Sequence, residues 1–214
     1  ELKRRKLEED SETGFLTRSG LLNCESLYYH RNMLAMIHVN NYNSVKHVLG
    51  TAQARQFIHQ FALRIRKMLP AGALCCRDRE DLFIIAFDGI YAEKDVAWYS
   101  ALIASVFRMS TSDMPGESHI FTGHIGMLIE SLTPENISEC LMNVSLALQH
   151  AQMQRSGMSK LFTVAMREEE VNNLRLHQAL CDDLRSEGFH LVMQPIVAFE
   201  SQRPCKEGEC LVRW

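Results

Sequence analysis

Apolar residues along the chain form two kinds of pattern, short continuous runs and longer periodic stretches. The runs at 33–39, 82–87 and 119–129 have strand length and predict buried strands. The stretch 51–69 repeats apolar residues at helical spacing and predicts an amphipathic helix, with Ala54, Phe57, Ile58, Phe61, Ile65 and Met68 on its buried face. Further helices are predicted at 20–31, 41–50, 93–109 and 133–154, and further strands at 73–77 and 160–165.

Polar residues and glycines mark the ends of several of these elements. Ser19 is expected to cap the helix at 20–31, and Gly50 to end the helix at 41–50. Thr133 is expected to cap the next long helix, with Pro134 at its first position.

The run "RDREDLFIIAF" sets a charged turn directly before the strand at 82–87. Two strands joined by so short a turn must be antiparallel, which excludes an all-parallel doubly wound sheet. The mixture of helices and antiparallel strands therefore predicts an α+β fold, an α/β sandwich of the ferredoxin-like, split βαβ type.

The pattern starts again near the C-terminus. A charged amphipathic helix at 167–187 is followed by strand-like stretches at 189–199 and 209–214. We therefore expect residues 10–165 to form one domain, 166–188 a connecting helix, and 189–214 the truncated start of a second domain. The charged residues 1–9 are expected to form a lead helix, and the chain, beginning at Glu1, to be a piece of a longer protein.

Composition excludes several classes of protein. A formal charge of −3 over 214 residues argues against a nucleic-acid partner held by charge. The seven cysteines include no CxxC pair, so neither a disulfide framework nor a zinc site is expected. No apolar run is long enough to span a membrane.

Four segments, in order, resemble the GGDEF family of diguanylate cyclase domains. They are "DSETGFLTR", "LAMIHVNNYNSVKHVLG", "CRDREDLFIIAF" and "NVSLALQHAQMQRSG", beside the family patterns D-x-L-T-G-L-x-N-R, L-A-x-x-x-I-D-x-D-x-F-K-x-I-N-D-x-x-G, A-R-x-G-G-D-E-F-A-I-L-L and A-D-x-A-L-Y-x-A-K-x-x-G. The resemblance implies a nucleotidyl-cyclase palm with a central, mostly antiparallel, five-stranded sheet flanked by helices. It also implies a bacterial cyclic di-GMP signalling protein and a cytoplasmic domain; whether an inner-membrane anchor lies elsewhere stays open.

Several motif positions depart from the family pattern. The signature turn becomes Arg79, Glu80, Asp81, Leu82 and Phe83, and His38 occupies the position of the first metal aspartate. Asn43 replaces a lysine, Lys46 and His47 replace the guanine-recognising pair, and Gln152 replaces the late phosphate-binding lysine. Pro70 and Ala73 stand where the inhibitory R-x-x-D product site would lie.

These departures bear directly on the cyclase reaction. Histidine suits hard Mg²⁺ poorly, and bulky side chains in place of the glycines prevent close approach of the backbone to phosphate. We therefore expect no catalytic residue in this domain, no cofactor and no GTP binding. Asp81 is expected to be a solvated turn residue, Arg79 a surface charge, and His38 a strand-end histidine facing the vacated pocket.

The last segments, "ALCDDLRSEGFHLVMQPIVAF" and "GECLVRW", resemble the start of an EAL phosphodiesterase domain, a TIM-like barrel. The resemblance implies that Gln194 and Arg213 contact cyclic di-GMP and that Glu209 binds Mg²⁺ or Mn²⁺ in an intact EAL domain. Cys210 replaces the alanine of the motif.

Three functions remain open from the sequence. The chain is a non-catalytic regulatory domain that relays a signal from its own upstream sensor to an EAL domain, or it belongs to an intact cyclic di-GMP phosphodiesterase. The third alternative is an inactive scaffold that binds a protein or RNA. A homodimer is compatible with all three.

Overall fold

The computed structural model describes residues 8–29, 31–87, 89, 93–108, 120–153, 159–186, 188–197 and 204–214. The strands are β1 (Leu16–Thr17), β2 (Arg31–Val39), β3 (Leu74–Arg79), β4 (Leu82–Phe87), β5 (Gly123–Ser131), β6 (Ser159–Leu161), β7 (His190–Val197) and β8 (Pro204–Arg213). The helices are α1 (Arg18–Leu22), α2 (Tyr42–Leu49), α3 (Thr51–Met68), α4 (Glu93–Arg108), α5 (Ile137–Met153) and α6 (Val164–Arg185), with a 3₁₀ turn at Glu25–Leu27. The chain divides into two compact units, Glu1–Met166 and Arg167–Trp214.

The first unit is built on one mixed sheet in the order β1-β3-β4-β2-β5-β6. The four central strands pair antiparallel with one another, and their order β3-β4-β2-β5 is that of the ferredoxin-like split βαβ fold. The outer strands β1 and β6 pair in parallel with β3 and β5. The α+β prediction and the antiparallel hairpin of β3 and β4 are therefore confirmed.

The sheet has six strands, not the five that the resemblance implied. The additional strand is β1, where Leu16 and Thr17 pair in parallel with Cys76 and Arg77. Its two residues lie beside β3 because the preceding segment, from Asp10 to Thr13, is tied to the side chain of Arg77 on that strand.

The core lies on both faces of the sheet because β2 and β4 are buried on both sides. Along β2, Met33, Ala35, Ile37 and Val39 pack toward the α3 and α4 side. Leu34 and Met36 alternate with them and join the side chains of α5. A strand covered on both faces reads as a continuous apolar run, which is why the sequence pattern located β2 and β4 well.

Some predicted boundaries are wrong at polar positions. Thr17, not Ser19, caps α1: its Oγ1 accepts a hydrogen bond from the amide of Gly20, and the helix ends at Leu22. Thr133 accepts from the amide of Asn136 and closes a turn, so α5 begins only at Ile137. Glu9 forms a β-bridge with Leu16 and is not helical, while residues 1–7 of the predicted lead helix lie outside the described residues.

The second unit contains most of α6 and the antiparallel hairpin of β7 and β8. The rings of Phe189 and Trp214 stack with their centroids 6.2 Å apart, and the indole Nε1–H of Trp214 donates to the carboxylate of Asp183. Leu191, Met193, Val212 and Trp214 are all exposed on this unit. A two-stranded hairpin with so much exposed apolar surface is only marginally stable alone.

The described helices are too short or too polar to span a membrane. None of them has a stretch that is both long and apolar enough to cross a lipid bilayer.

Candidate functional site

The charged hairpin between β3 and β4 lies at the end of the sheet where β2 leads into α2. Arg79 still belongs to β3, and a bulge between Arg77 and Arg79 leaves Glu80 and Asp81 to close the turn. Among the described residues, Tyr29 is the only non-glycine with a positive φ. The turn therefore closes without the left-handed backbone that favours glycine, which explains how the hairpin persists with Arg79 and Glu80 at the positions of the family's two glycines.

Glu80 is held by a side chain from α2. Both carboxylate oxygens of Glu80 accept hydrogen bonds from Lys46 Nζ, at 2.7 and 2.9 Å. These bonds raise the pKa of Lys46, so it stays charged at neutral pH. Lys46 occupies a position where the family has a guanine-recognising side chain, but here its charge is paired with Glu80 in the turn.

Asp81 is likewise bound by neighbouring side chains. Its Oδ2 accepts from Asn43 Nδ2 at 3.1 Å and lies 3.3 Å from His38 Nε2. Gln152, at the end of α5, places Nε2 3.0 Å from His38 Nδ1. We call Lys46, Glu80, Asn43, Asp81, His38 and Gln152 the turn network. Its members come from β2, α2, the hairpin and α5.

One expectation for the signature turn changes with this geometry. Asp81 is not a solvated turn residue, since only 17% of its side chain is exposed and two side chains bond to it. Leu82 and Phe83, the last two signature positions, begin the buried strand β4, as the apolar run at 82–87 predicted. Arg79 is a surface charge as expected, 75% exposed and 3.8 Å from Asp78.

Sequence reasoning missed a buried charge near the turn, Arg77. Its Nη1 donates to Glu12 at 2.6 Å and to Asp10 at 3.2 Å, and its Nη2 donates to the carbonyl oxygen of Glu80 at 3.0 Å. Only 6% of the Arg77 side chain is exposed. Arg77 therefore connects the N-terminal segment to the hairpin turn. Two sequence features could have indicated this contact: the arginine in "CRDRED", and the D-x-x-T spacing of Asp10 and Thr13 in the N-terminal segment.

Asp10 is the acid that organises this connection. Burial raises the pKa of Asp10, but the hydroxyl and amide of Thr13 and the charge of Arg77 outweigh burial and leave the pKa below its ordinary value. Thr13 Oγ1 and N donate to Asp10 Oδ1 at 2.7 and 2.9 Å. The carboxylate is thus stabilised in its charged form by groups that the fold brings together.

A cleft of about 360 Å³ opens beside the turn and the start of α3. Its charged lining residues are four acids and three arginines: Asp10, Glu12, Asp78, Glu80, Arg55, Arg77 and Arg79. These charges pair with one another or with Lys46. Among the described residues that line this cleft, the arginines therefore do not outnumber the acids, and no excess of positive charge faces the cleft.

Sequence comparison places this geometry in a family. The family profile described as "Diguanylate cyclase, GGDEF domain" matches residues 18–158. The chain belongs to the GGDEF family. No curated protein sequence matches it closely enough to count as a relative.

Solved structures share the fold of this GGDEF domain. The GGDEF domain of TpbB (YfiN) from Pseudomonas aeruginosa is 18% identical with a TM-score of 0.65, over 75% of this chain and 97% of that one. LapD from Vibrio cholerae, an S helix-GGDEF-EAL protein bound to c-di-GMP, is 10% identical with a TM-score of 0.64, over 99% of this chain and 50% of that one. The diguanylate cyclase SiaD from P. aeruginosa, in complex with its activator SiaC, is 20% identical with a TM-score of 0.61, over 75% and 64%.

The residues present do not fit the magnesium chemistry of a GGDEF cyclase. Mg²⁺ requires several hard oxygen ligands, whereas both carboxylates of the turn already have partners: Glu80 pairs with Lys46, and Asp81 with His38 and Asn43. Within the described parts of the chain, no three His, Cys, Asp or Glu side chains are arranged to hold a metal ion. Pro70 and Ala73 add no charged group at the predicted product-site positions.

The residues predicted for the EAL segment lie together on the second unit. Gln194 on β7 pairs directly with Glu209 on β8, and His190 pairs with Arg213. Because side chains two residues apart on a strand share a face, Gln194, Glu209 and Arg213 all lie on one face of the hairpin. All three are exposed.

Proposed function

We propose that this chain is a non-catalytic, regulatory GGDEF domain of a cyclic di-GMP signalling protein that passes a signal to a C-terminal EAL domain. The observation that carries the proposal is the turn network. The side chains that depart from the family pattern bond to one another, and the bonded groups are those that a cyclase needs free for metal, phosphate and guanine.

The chemistry of phosphoryl transfer supports this reading. The reaction needs metal ions to neutralise charge on the transferring phosphoryl group and a turn that lets the backbone approach it. Here the Glu80 side chain occupies a glycine position and the Lys46 ammonium is paired with it at 2.7 Å. A triphosphate at the neighbouring cleft would face four carboxylates and three arginines that already have partners. We therefore propose that the domain neither binds GTP nor forms cyclic di-GMP.

The first test is a cyclase assay of the purified chain with GTP and Mg²⁺ or Mn²⁺. We expect no cyclic di-GMP above background, with SiaD as the positive control. A variant with Lys46→Ala and Glu80→Ala, which opens the turn network but restores no metal ligand, is expected to stay inactive. Product from the unchanged chain would contradict the proposal, and calorimetry showing micromolar GTP binding would contradict its nucleotide part.

A relay to a following domain needs an element that both domains contact and that has two states. The helix α6 is the candidate because it runs without interruption from Val164 to Arg185 and none of its residues is fully buried. Its exposed apolar side chains, among them Val171, Leu174 and Leu184, are available to a neighbouring domain.

A second candidate function is cyclic di-GMP hydrolysis by an intact EAL domain. The shared face of Gln194, Glu209 and Arg213 favours it, since it presents a carboxylate, an amide and a guanidinium together. In a chain extended beyond Trp214, Glu209→Ala is expected to abolish hydrolysis of cyclic di-GMP. The matched control Cys210→Ala should keep it, because alanine stands there in the family. Full activity of the Glu209→Ala variant would rule out the proposed metal role.

A further inference from the structure

Two histidines lie side by side at the end of the sheet where the turn network begins. His38 on β2 and His124 on β5 are direct cross-strand partners. The amide of Asn40 lies between them: its Oδ1 is 2.9 Å from His38 Nδ1 and 3.2 Å from His124 Nδ1, and its Nδ2 is 2.9 Å from His124 Nδ1. One amide group therefore serves both imidazoles.

Hydrogen-bond chemistry restricts how protons distribute over this pair. When His38 Nδ1–H donates to Asn40 Oδ1, the Asn40 amide can donate from Nδ2 to an unprotonated His124 Nδ1. When His124 Nδ1 is protonated, it can no longer accept from Asn40 Nδ2 and instead donates to Asn40 Oδ1, at 3.2 Å. An amide oxygen accepts two hydrogen bonds, so His38 and His124 can then both donate to it. Protonation of His124 therefore removes the bond from Asn40 Nδ2 and brings both imidazoles to one oxygen.

The acid nearest to this pair lies on the His38 side. Asp81 lies 3.3 Å from His38 Nε2, and behind it the charges of Lys46 and Glu80 neutralise each other. Asn43 from α2 and Gln152 from α5 are uncharged. On the other side, His124 and Arg108 line a cleft of about 800 Å³ whose described lining residues include no acid.

We propose that Asn40 and His124, beside His38, form a proton-dependent switch that controls how the hairpin turn is held to β2. With His124 neutral, its Nδ1 accepts from Asn40 Nδ2, and this bond holds the end of β2 to β5. Protonation of His124 breaks that bond and places a positive charge directly across from His38. Acidification therefore loosens the end of β2 at Asn40, next to Val39, whose amide bonds to the turn.

The direction of the His124 pKa shift agrees with this proposal. Burial first, and the neighbouring His38 second, lower the pKa of His124 below its ordinary value of 6.5. The unfolded chain therefore binds this proton more readily than the folded chain does. Consequently this site reduces the stability of the fold as the pH falls below 6.5 toward the lowered pKa.

The test is an NMR titration of the imidazole signals in the whole chain. We expect the His124 midpoint to lie below 6.5 and to rise by about 0.5 pH units or more in a His38→Asn variant, which removes the competing charge. An Asn40→Asp variant should also raise it, because a carboxylate at this position accepts from protonated His124 Nδ1, whereas the amide donates to the neutral form. The exposed His177 serves as an internal control whose midpoint stays the same in both variants.

Hydrogen exchange gives a second readout at the turn. The amide of Val39 donates to the carbonyl oxygen of Asp81 at 2.9 Å. Once corrected for the intrinsic pH dependence of exchange, its protection should fall as His124 becomes protonated, and this fall should move with the His124 midpoint in the variants. An unchanged His124 midpoint in both variants would overturn the proposal, and so would protection at Val39 that does not follow His124.

Discussion

Replacing Gly126 by alanine is expected to lower the free energy of unfolding by about 3 kcal/mol or more, because it forces α5 away from the sheet. A Cβ at Gly126 would lie 2.3 Å from the carbonyl oxygen of Val144 and 2.4 Å from the amide nitrogen of Leu148. These are backbone atoms of a long helix, so no side-chain rotation can relieve the contact. Urea unfolding of the purified chain measures the loss.

Gly72→Ala is the matched control because it adds the same methyl group where no atom lies within 4 Å. Its φ of +89° is unfavourable for alanine, so we expect a loss of about 1 kcal/mol from backbone strain alone. Equal losses in the two variants would show that α5 does not pack against Gly126 as closely as described.

Replacing Arg77 by methionine is expected to cost about 2–4 kcal/mol of unfolding free energy. Methionine keeps the apolar stem but leaves Asp10 without its cation and Glu12 with only the exposed Arg55, and it frees the carbonyl oxygen of Glu80. The carboxylates are 24% and 31% exposed, so water recovers part of the lost interaction. Chemical denaturation at neutral pH measures the change.

Arg79→Met provides the comparison two residues further along the same strand. Arg79 is 75% exposed and its nearest carboxylate is 3.8 Å away, so we expect a change within about 0.5 kcal/mol. In a double-mutant cycle, Asp10→Asn should cost less in the Arg77→Met background than in the unchanged chain. Independent effects of the two substitutions would show that Arg77 does not hold the N-terminal segment.

The paired charges around the turn also explain how this GGDEF domain keeps a stable hairpin with a highly charged signature turn. Glu80 would repel the neighbouring Asp81 and Asp78 if it were unpaired, but Lys46, Arg18 and Arg79 lie within bonding or ion-pair distance of these acids. The substitutions at α2 and at the hairpin therefore compensate one another. Restoring a single family residue would leave its former partner unpaired.

The amino-acid sequence by itself determined the elements and their class. The continuous run at 82–87 and the periodic stretch at 51–69 became β4 and α3 almost as predicted, because burial on both faces or along one face leaves a direct pattern in the sequence. The short charged turn required an antiparallel pair, and motif order along the chain indicated the GGDEF family. Boundaries at Thr17 and Ile137 were missed, because a capping hydroxyl can serve either a helix or a turn.

Only the tertiary structure decided what the polar residues do. Gln152 and His38 are 114 positions apart, and His124 and Asn40 are 84 positions apart, so no local pattern could show that they bond. The same holds for Arg77 and Asp10, which meet across 67 positions. Apolar residues reveal burial by their spacing, whereas a polar side chain has its role set by whichever partner the fold brings within about 3 Å. For this reason Asp81 read as an ordinary solvated turn residue in the sequence and became a bonded member of the turn network in the fold.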